Sequence, residues 1–248
     1  MADKTPSQLN RTDYQPLYTQ VKSLLVKRIG SGDWKPGEML PSENVLAAEY
    51  RVSQGTVRKA LIALEADKLI VRRQGVGTFV ARHSRDETLF HFFRMVGLDD
   101  SRLIPNSIVL TQRTVRATRD QAARLAVEPA TMLHAIVRIR HFNRVPAIFE
   151  RIFIPVALMP DLVVEEGQQM GDEMYVIYQE RFGISIARAS ERLAAVTATA
   201  EEARRLKLEA GAPLLEIARV ASDVNGRLVE LRISRCDTRQ TRYAAEVQ

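Results

Sequence analysis

The chain has a single cysteine, Cys236, in 248 residues, so no disulfide can close within it and a reducing cytoplasm is expected. No apolar run approaches the ~18 residues that a membrane helix needs. Met1 to Thr12 is polar and lacks the charged-then-apolar layout of a secretion signal. The four histidines (His83, His91, His134, His141) lack metal-ligand spacing with acids or with the cysteine. No glycine-rich phosphate loop follows a strand, and no nucleophile, base and acid stand at recognisable spacing. These absences argue against a disulfide scaffold, a membrane protein, a metal centre and an enzyme, and no cofactor is expected.

What is present is an ordinary globular composition, 46% apolar and 27% charged, long enough for one or two domains with separate cores. The charge is unevenly placed. Residues 1–85 carry 14 lysines and arginines against eight acids, whereas residues 86–248 carry 22 of each. The whole net charge of +6 therefore sits in the first third, which suggests one part that meets phosphates and another with a different task.

In that basic third, Leu17, Val21, Leu24, Leu25 and Ile29 form a helical stripe that opens after Pro16 and stops at Gly30-Ser31-Gly32. Ser42 is placed to cap a short helix over Glu43–Tyr50, and Ser53 to cap a second from Gln54 to about Ala66. Val57, Ala60, Leu61 and Leu64 make the buried side of the second helix; Gln54, Thr56, Arg58 and Lys59 lie on or near the other. Two short helices joined by a tight turn, the second starting polar and turning basic, fit a helix-turn-helix that reads a major groove. Two β-like runs follow, Leu69–Arg73 and Thr78–Ala81, joined at Gly75-Val76-Gly77 and flanked by Arg72, Arg73 and Gln74. They read as a hairpin wing whose glycines let backbone approach a sugar-phosphate edge.

The rest of the chain repeats itself. Val115 to Arg138 aligns with Val196 to Arg219 at a constant offset of 81, each copy reading strand end, short helix, strand, turn, strand. The helices are expected at Arg119–Ala126 and Ala200–Leu208, and Asn225-Gly226 is a strong hairpin turn. Two such halves suggest an antiparallel sheet with pseudo-twofold symmetry and a ligand crevice between them. In Leu133–Phe142, period two puts Leu133, Ala135, Val137 and Ile139 on one side and His134, Ile136, Arg138 and Arg140 on the other. Two arginines on one strand face make a two-pronged anion site. Glu230, Arg232 and Ser234 share a face of the last hairpin. Glu150 joins the arginine face if the turn before it has odd length; parity alone leaves this open. A short apolar helix is expected at Leu89–Val96, with Phe90, Phe92 and Phe93 packing on the second domain.

The segments Lys35-Pro36-Gly37, Leu40-Pro41-Ser42-Glu43, Thr56-Val57-Arg58-Lys59-Ala60-Leu61 and Arg72 through Val80 resemble the winged helix of GntR-family bacterial transcription regulators. The resemblance implies dimers on short palindromes of double-stranded DNA. It matches Arg58 to a DNA-contacting arginine, and Ser42, Glu43, Ser53, Thr56 and Gly77 to positions near phosphates or bases. The family usually carries arginine where this chain has Asn44 and Gln54. Gln54 retains the option of a bidentate contact to adenine.

Residues from about 105 onward resemble the UTRA effector-binding domain of the HutC subfamily, similar in fold to chorismate lyase. Arg138-Ile139-Arg140, Glu150-Arg151, Met159-Pro160-Asp161-Leu162, Ala212-Pro213-Leu214-Leu215 and Asn225-Gly226 carry that likeness. It implies small, often anionic effectors held by Arg138, Arg140, Glu150, Tyr175 and Glu230. A serine that holds phosphate in some members falls at Glu173, where a carboxylate would repel phosphate, which favours a carboxylate or amine-bearing ligand.

The expected protein is thus α+β: a winged helix-turn-helix over 12–82, a linker over 83–104, and a UTRA domain over 105–247 that binds effector and dimerises. Its expected work is repression in the bacterial cytoplasm, associated with the nucleoid through DNA. The expected DNA-facing set is Ser42, Glu43, Ser53, Gln54, Thr56, Arg58, Lys59, Arg72, Gln74, Gly75 and Gly77; the effector set is Arg138, Arg140, Glu150, Glu173, Tyr175 and Glu230.

Overall fold

A computed structural model describes residues 15–67, 69–82, 93–170 and 174–245. Near the start, α1 (Leu17–Gly30), α2 (Glu43–Tyr50) and α3 (Gln54–Ala66) surround a small apolar centre. Val21, Leu25, Leu46, Val57, Ala60 and Leu64 are wholly buried there, which is what the i, i+3, i+4 stripes require. Ser42 Oγ accepts the amide of Val45, and Ser53 Oγ that of Thr56, so both expected caps fix where their helices begin. Strands β1 (Ile70–Arg73) and β2 (Gly77–Val80) pair antiparallel, Arg73 opposite Gly77 and Ile70 opposite Val80. Gly75 and Gly77 both hold positive φ, which a side chain would strain.

The second body is a seven-stranded antiparallel sheet built twice from one plan. The first copy is β4 (Asn106–Arg116), α4 (Arg119–Leu125), β5 (Met132–Phe142) and β6 (Val145–Pro155). After β7 (Gln169–Met170) and α5 (Met174–Phe182), the second copy is β8 (Ile186–Thr197), α6 (Ala200–Leu206), β9 (Pro213–Asp223) and β10 (Leu228–Cys236). The strand order β7-β4-β5-β6-β10-β9-β8 joins the copies at β6 and β10, where Ser234 stands opposite Glu150. The repeat extends to the helix ends. Thr118 with Gln121, and Thr199 with Glu202, each form a complete capping box, and Ala126 and Lys207 each end their helix left-handed.

The sheet has two faces. Leu133, Leu231 and Phe149 lie on the side covered by α4 and α6, with Ala122, Leu125, Ala203 and Leu206. Ile136, Ile152 and Val229 pack on the other side against Tyr175 and Tyr178 of α5. On that second side, beyond α5, lies a two-stranded layer of β3 (Met95–Gly97) and β11 (Thr241–Tyr243). Residues 95–97 are therefore strand, not the end of the apolar helix expected over Leu89–Val96. Pairing with β11 supplies their ladder partners; Leu89 to Phe92 lie outside the described residues. Phe93 does pack on the second body, its ring 5.9 Å from that of Phe142. Among the described residues, no helix is long and apolar enough to cross a membrane.

Candidate DNA-binding face and ligand cleft

The first candidate site is the exposed side of α3 with its neighbours. Gln54 and Arg58 lie one helical turn apart and both reach Glu43 at the first residue of α2. Glu43 Oε2 accepts from Gln54 Nε2 (3.3 Å) and from Arg58 Nε and Nη2 (2.9 Å each). Arg72 of the wing comes to 3.5 Å of the other oxygen of Glu43 and to 3.5 Å of Glu65. The fold thus gathers Glu43, Gln54, Arg58 and Arg72 into one cluster. Ser53 and Thr56 share a hydroxyl contact of 2.9 Å at the start of α3, and Ser42 begins α2. Lys59, Gln74 and Gly75 are exposed, the last two at the tip of the wing.

The second is a narrow cleft between the sheet and the β3/β11 layer. Arg140, Glu150, Arg232, Ser234 and Arg219 line its polar wall, with Glu191 from β8; Phe93, Ile148, Ile217 and Cys236 supply apolar surface. Arg138 pairs through Nε with Glu150, which also accepts from Ser234 Oγ at 2.8 Å. Arg140 and Arg232 stand at 3.6 and 3.8 Å from the same carboxylate. Burial alone would raise the Glu150 carboxyl. The guanidiniums of Arg138, Arg232 and Arg140, with the Ser234 hydroxyl, hold it well below the usual carboxylate range instead.

A second carboxylate is clamped just behind. Glu230 takes both prongs of Arg232 (2.8 and 2.9 Å) and the phenol protons of Tyr175 (3.1 Å) and Tyr178 (2.6 Å). Burial and the Glu230 charge push both phenols up, so they remain neutral donors. Arg219 grips Glu191 at 2.6–2.7 Å, and Tyr243 of β11 donates to the same carboxylate. Phe93 covers Arg140, its ring 4.4 Å from the guanidinium carbon.

Of the expected effector residues, Arg140 and Glu150 line the cleft; Arg138 is buried behind Glu150, and Glu230 with Tyr175 is buried behind Arg232. Glu173 lies outside the described residues. Arg219, Arg232, Ser234, Glu191 and Tyr243 complete the wall and were not in the expected set. The signal for Arg219 was in the repeat, since the offset of 81 carries Arg138 onto it. Glu191 and Tyr243 had none, because both arrive from elements distant in sequence. His134 is pinned by its Nε2 to the carbonyl of Met159 at 2.8 Å, a structural tie.

Cys236 supplies a probe of closure. Burial first, and then the Glu150 charge, push its thiol well above the ordinary range. It should resist thiol reagents at pH 8 in the folded protein and react once urea unfolds it. Rapid labelling of native protein would contradict a closed cleft.

The reader-like helix and wing beside a sheet domain with an arginine-lined cleft define a winged-helix regulator with a ligand domain. Comparison with known proteins specifies the family. Residues 17–80 match the model of bacterial regulatory proteins of the gntR family, and residues 101–242 match the UTRA domain. The chain belongs to the GntR family of bacterial transcription regulators, in its UTRA-containing form, and its relatives are regulators and not enzymes. It is 31% identical over 223 residues to the HTH-type transcriptional repressor NagR of Bacillus subtilis (strain 168), covering 90% of each chain. It is 32% identical over 208 residues to the histidine utilization repressor of Pseudomonas putida, covering 82% of this chain and 81% of that one. The crystal structure of PhnF from Mycobacterium smegmatis shares the fold, with a TM-score of 0.53 and 23% identity over 92% of this chain and 99% of that one. The gntR match implies DNA binding, and the UTRA match implies a small-molecule effector.

Proposed function

We propose that the protein is a homodimeric repressor, acting in the bacterial cytoplasm and on the nucleoid, that grips a palindromic operator and whose grip is set by a small anionic metabolite. Residues 12–82 read DNA, 83–104 link, and 105–247 hold the ligand and the dimer contact. The observation that carries the ligand class is the convergence of Arg140, Arg219 and Arg232 on one apolar-backed cleft. Planar guanidiniums recognise carboxylates by paired hydrogen bonds. Ile148, Ile217 and Phe93 suit a compact apolar body beside that carboxylate.

The turn between β9 and β10 supports a route from ligand to reader. Val224 and Ala187 pack on the apolar centre of the first body, and the Asn225 amide sits against Gly30 at the end of α1. A Cβ on Gly30 would come within 2.5 Å of that amide. The same two strands carry Arg219 and Arg232, so a ligand that shifts these arginines also shifts the contact with the reader domain. Linkage then requires only unequal affinity for the two arrangements.

A thermal-shift screen of small carboxylates, amino acids and sugar phosphates tests this. A carboxylate should raise the melting temperature and change operator affinity by roughly 5- to 150-fold. Val224→Asp should keep the thermal shift and lose most of the change in DNA affinity. Stabilisation by no compound in the panel would favour a plain dimerising domain.

A further inference from the structure

Glu43 is an acid on the face proposed to meet a polyanion, where a carboxylate works against affinity. Its contacts give it a different value. It accepts from Gln54 and Arg58 and lies 3.5 Å from the Arg72 guanidinium, and its side chain is four-fifths covered, with 20% of its surface exposed against 55% for Arg58. Each of the two hydrogen bonds uses part of the partner's capacity and leaves a defined remainder.

Gln54 is exposed and gives one amide proton to Glu43, which leaves its carbonyl oxygen and a second N–H for another partner. One acceptor beside one donor complements the N6 and N7 edge of adenine in the major groove. Arg58 commits Nε and one Nη2 proton, which leaves the end-on Nη1/Nη2 edge. Two parallel donors complement O6 and N7 of guanine. Residues four apart on a helix are separated by about 6 Å along its axis, close to two base steps of about 3.4 Å. Pairing with Glu43 also cancels the charge of Arg58, so Arg58 is poorly suited to act as a generic phosphate contact.

We propose that Glu43 is a positioning residue that presents Gln54 to adenine and Arg58 to guanine about two base steps away in each half-site. This rests on the reading of α3 as the DNA reader.

Selection by the full chain from a pool of random duplexes tests it. The wild-type protein should enrich half-sites holding an adenine and a guanine at that spacing. Glu43→Gln removes a negative charge, so its binding to unselected duplex should rise several-fold. Its discrimination at both positions should fall by about tenfold or more. Gln54→Arg, which keeps Glu43, should change the enriched adenine to guanine and leave the other position alone. Enrichment of half-sites lacking the pair, or unchanged discrimination by Glu43→Gln, would overturn the proposal. Failure of the reader assignment has a separate signature: Arg58→Ala would then enrich the same sequences as the wild type.

Discussion

Arg58→Ala is expected to weaken operator binding by far more than one lost contact. A side chain bidentate to a base contributes roughly five- to 150-fold to affinity. A homodimer on a palindrome makes that contact twice, so the substitution should cost roughly 30- to 20,000-fold in a gel-shift titration. The substitution also leaves the Glu43 carboxylate without that partner beside the phosphates, which adds to the loss. A loss confined to the single-contact range would argue against two equivalent readers. A lower salt slope with unchanged base preference would make Arg58 a phosphate contact.

Glu150→Ala should have the largest effect on the rear domain. The carboxylate is only 1% exposed and lies among Arg138, Arg140 and Arg232. Its removal leaves buried guanidiniums facing one another, which costs about 3–5 kcal/mol of unfolding free energy, measurable by urea titration. The pH dependence follows from the depressed carboxyl. Its stabilisation is complete above the unfolded value near ~4.3 and is lost as pH falls below that towards the folded value. Wild-type stability should therefore fall between about pH 5 and 3. Glu150→Gln, which has no proton to take up at this position, should show a flatter profile over the same window. Equal slopes for the two proteins would show that Glu150 does not carry the acid sensitivity.

The two predictions differ in how far the residues behind them could be read from sequence. Arg58 and Gln54 lie within one helix whose cap, stripe and exposed side are all encoded in the 14 residues from Ser53 to Ala66. The cluster around Glu43 needed the neighbouring helix and the wing strand that carries Arg72. Glu150 was different. Its partner on β5 depended on strand register, and the hairpin turn did not fix it. Asn143 and Arg144, both at positive φ, make a two-residue turn that pairs Phe142 with Val145. Continued without a break, that register would set Arg138 opposite Phe149 and send Glu150 to the helix-covered face. The ladder shifts between Arg140 and His141, leaving Ala147 as the extra residue, and Arg138 then stands opposite Glu150. A bulge of one residue decides whether the cleft has its central carboxylate.

Sequence by itself determined α1 to α4 and α6, the caps of α2 and α3, the wing, the repeat and the arginine face of β5, because each is set by spacing among residues a few positions apart. Tertiary structure decided which of those arginines reach the cleft and which are buried behind it. It also brought in Glu191 and Tyr243, and seated the β9–β10 turn against α1. These depend on strand order, register and the stacking of the β3/β11 layer on the sheet. Such contacts join residues up to 195 positions apart, as Gly30 and Asn225 are, and leave no periodic trace along the chain.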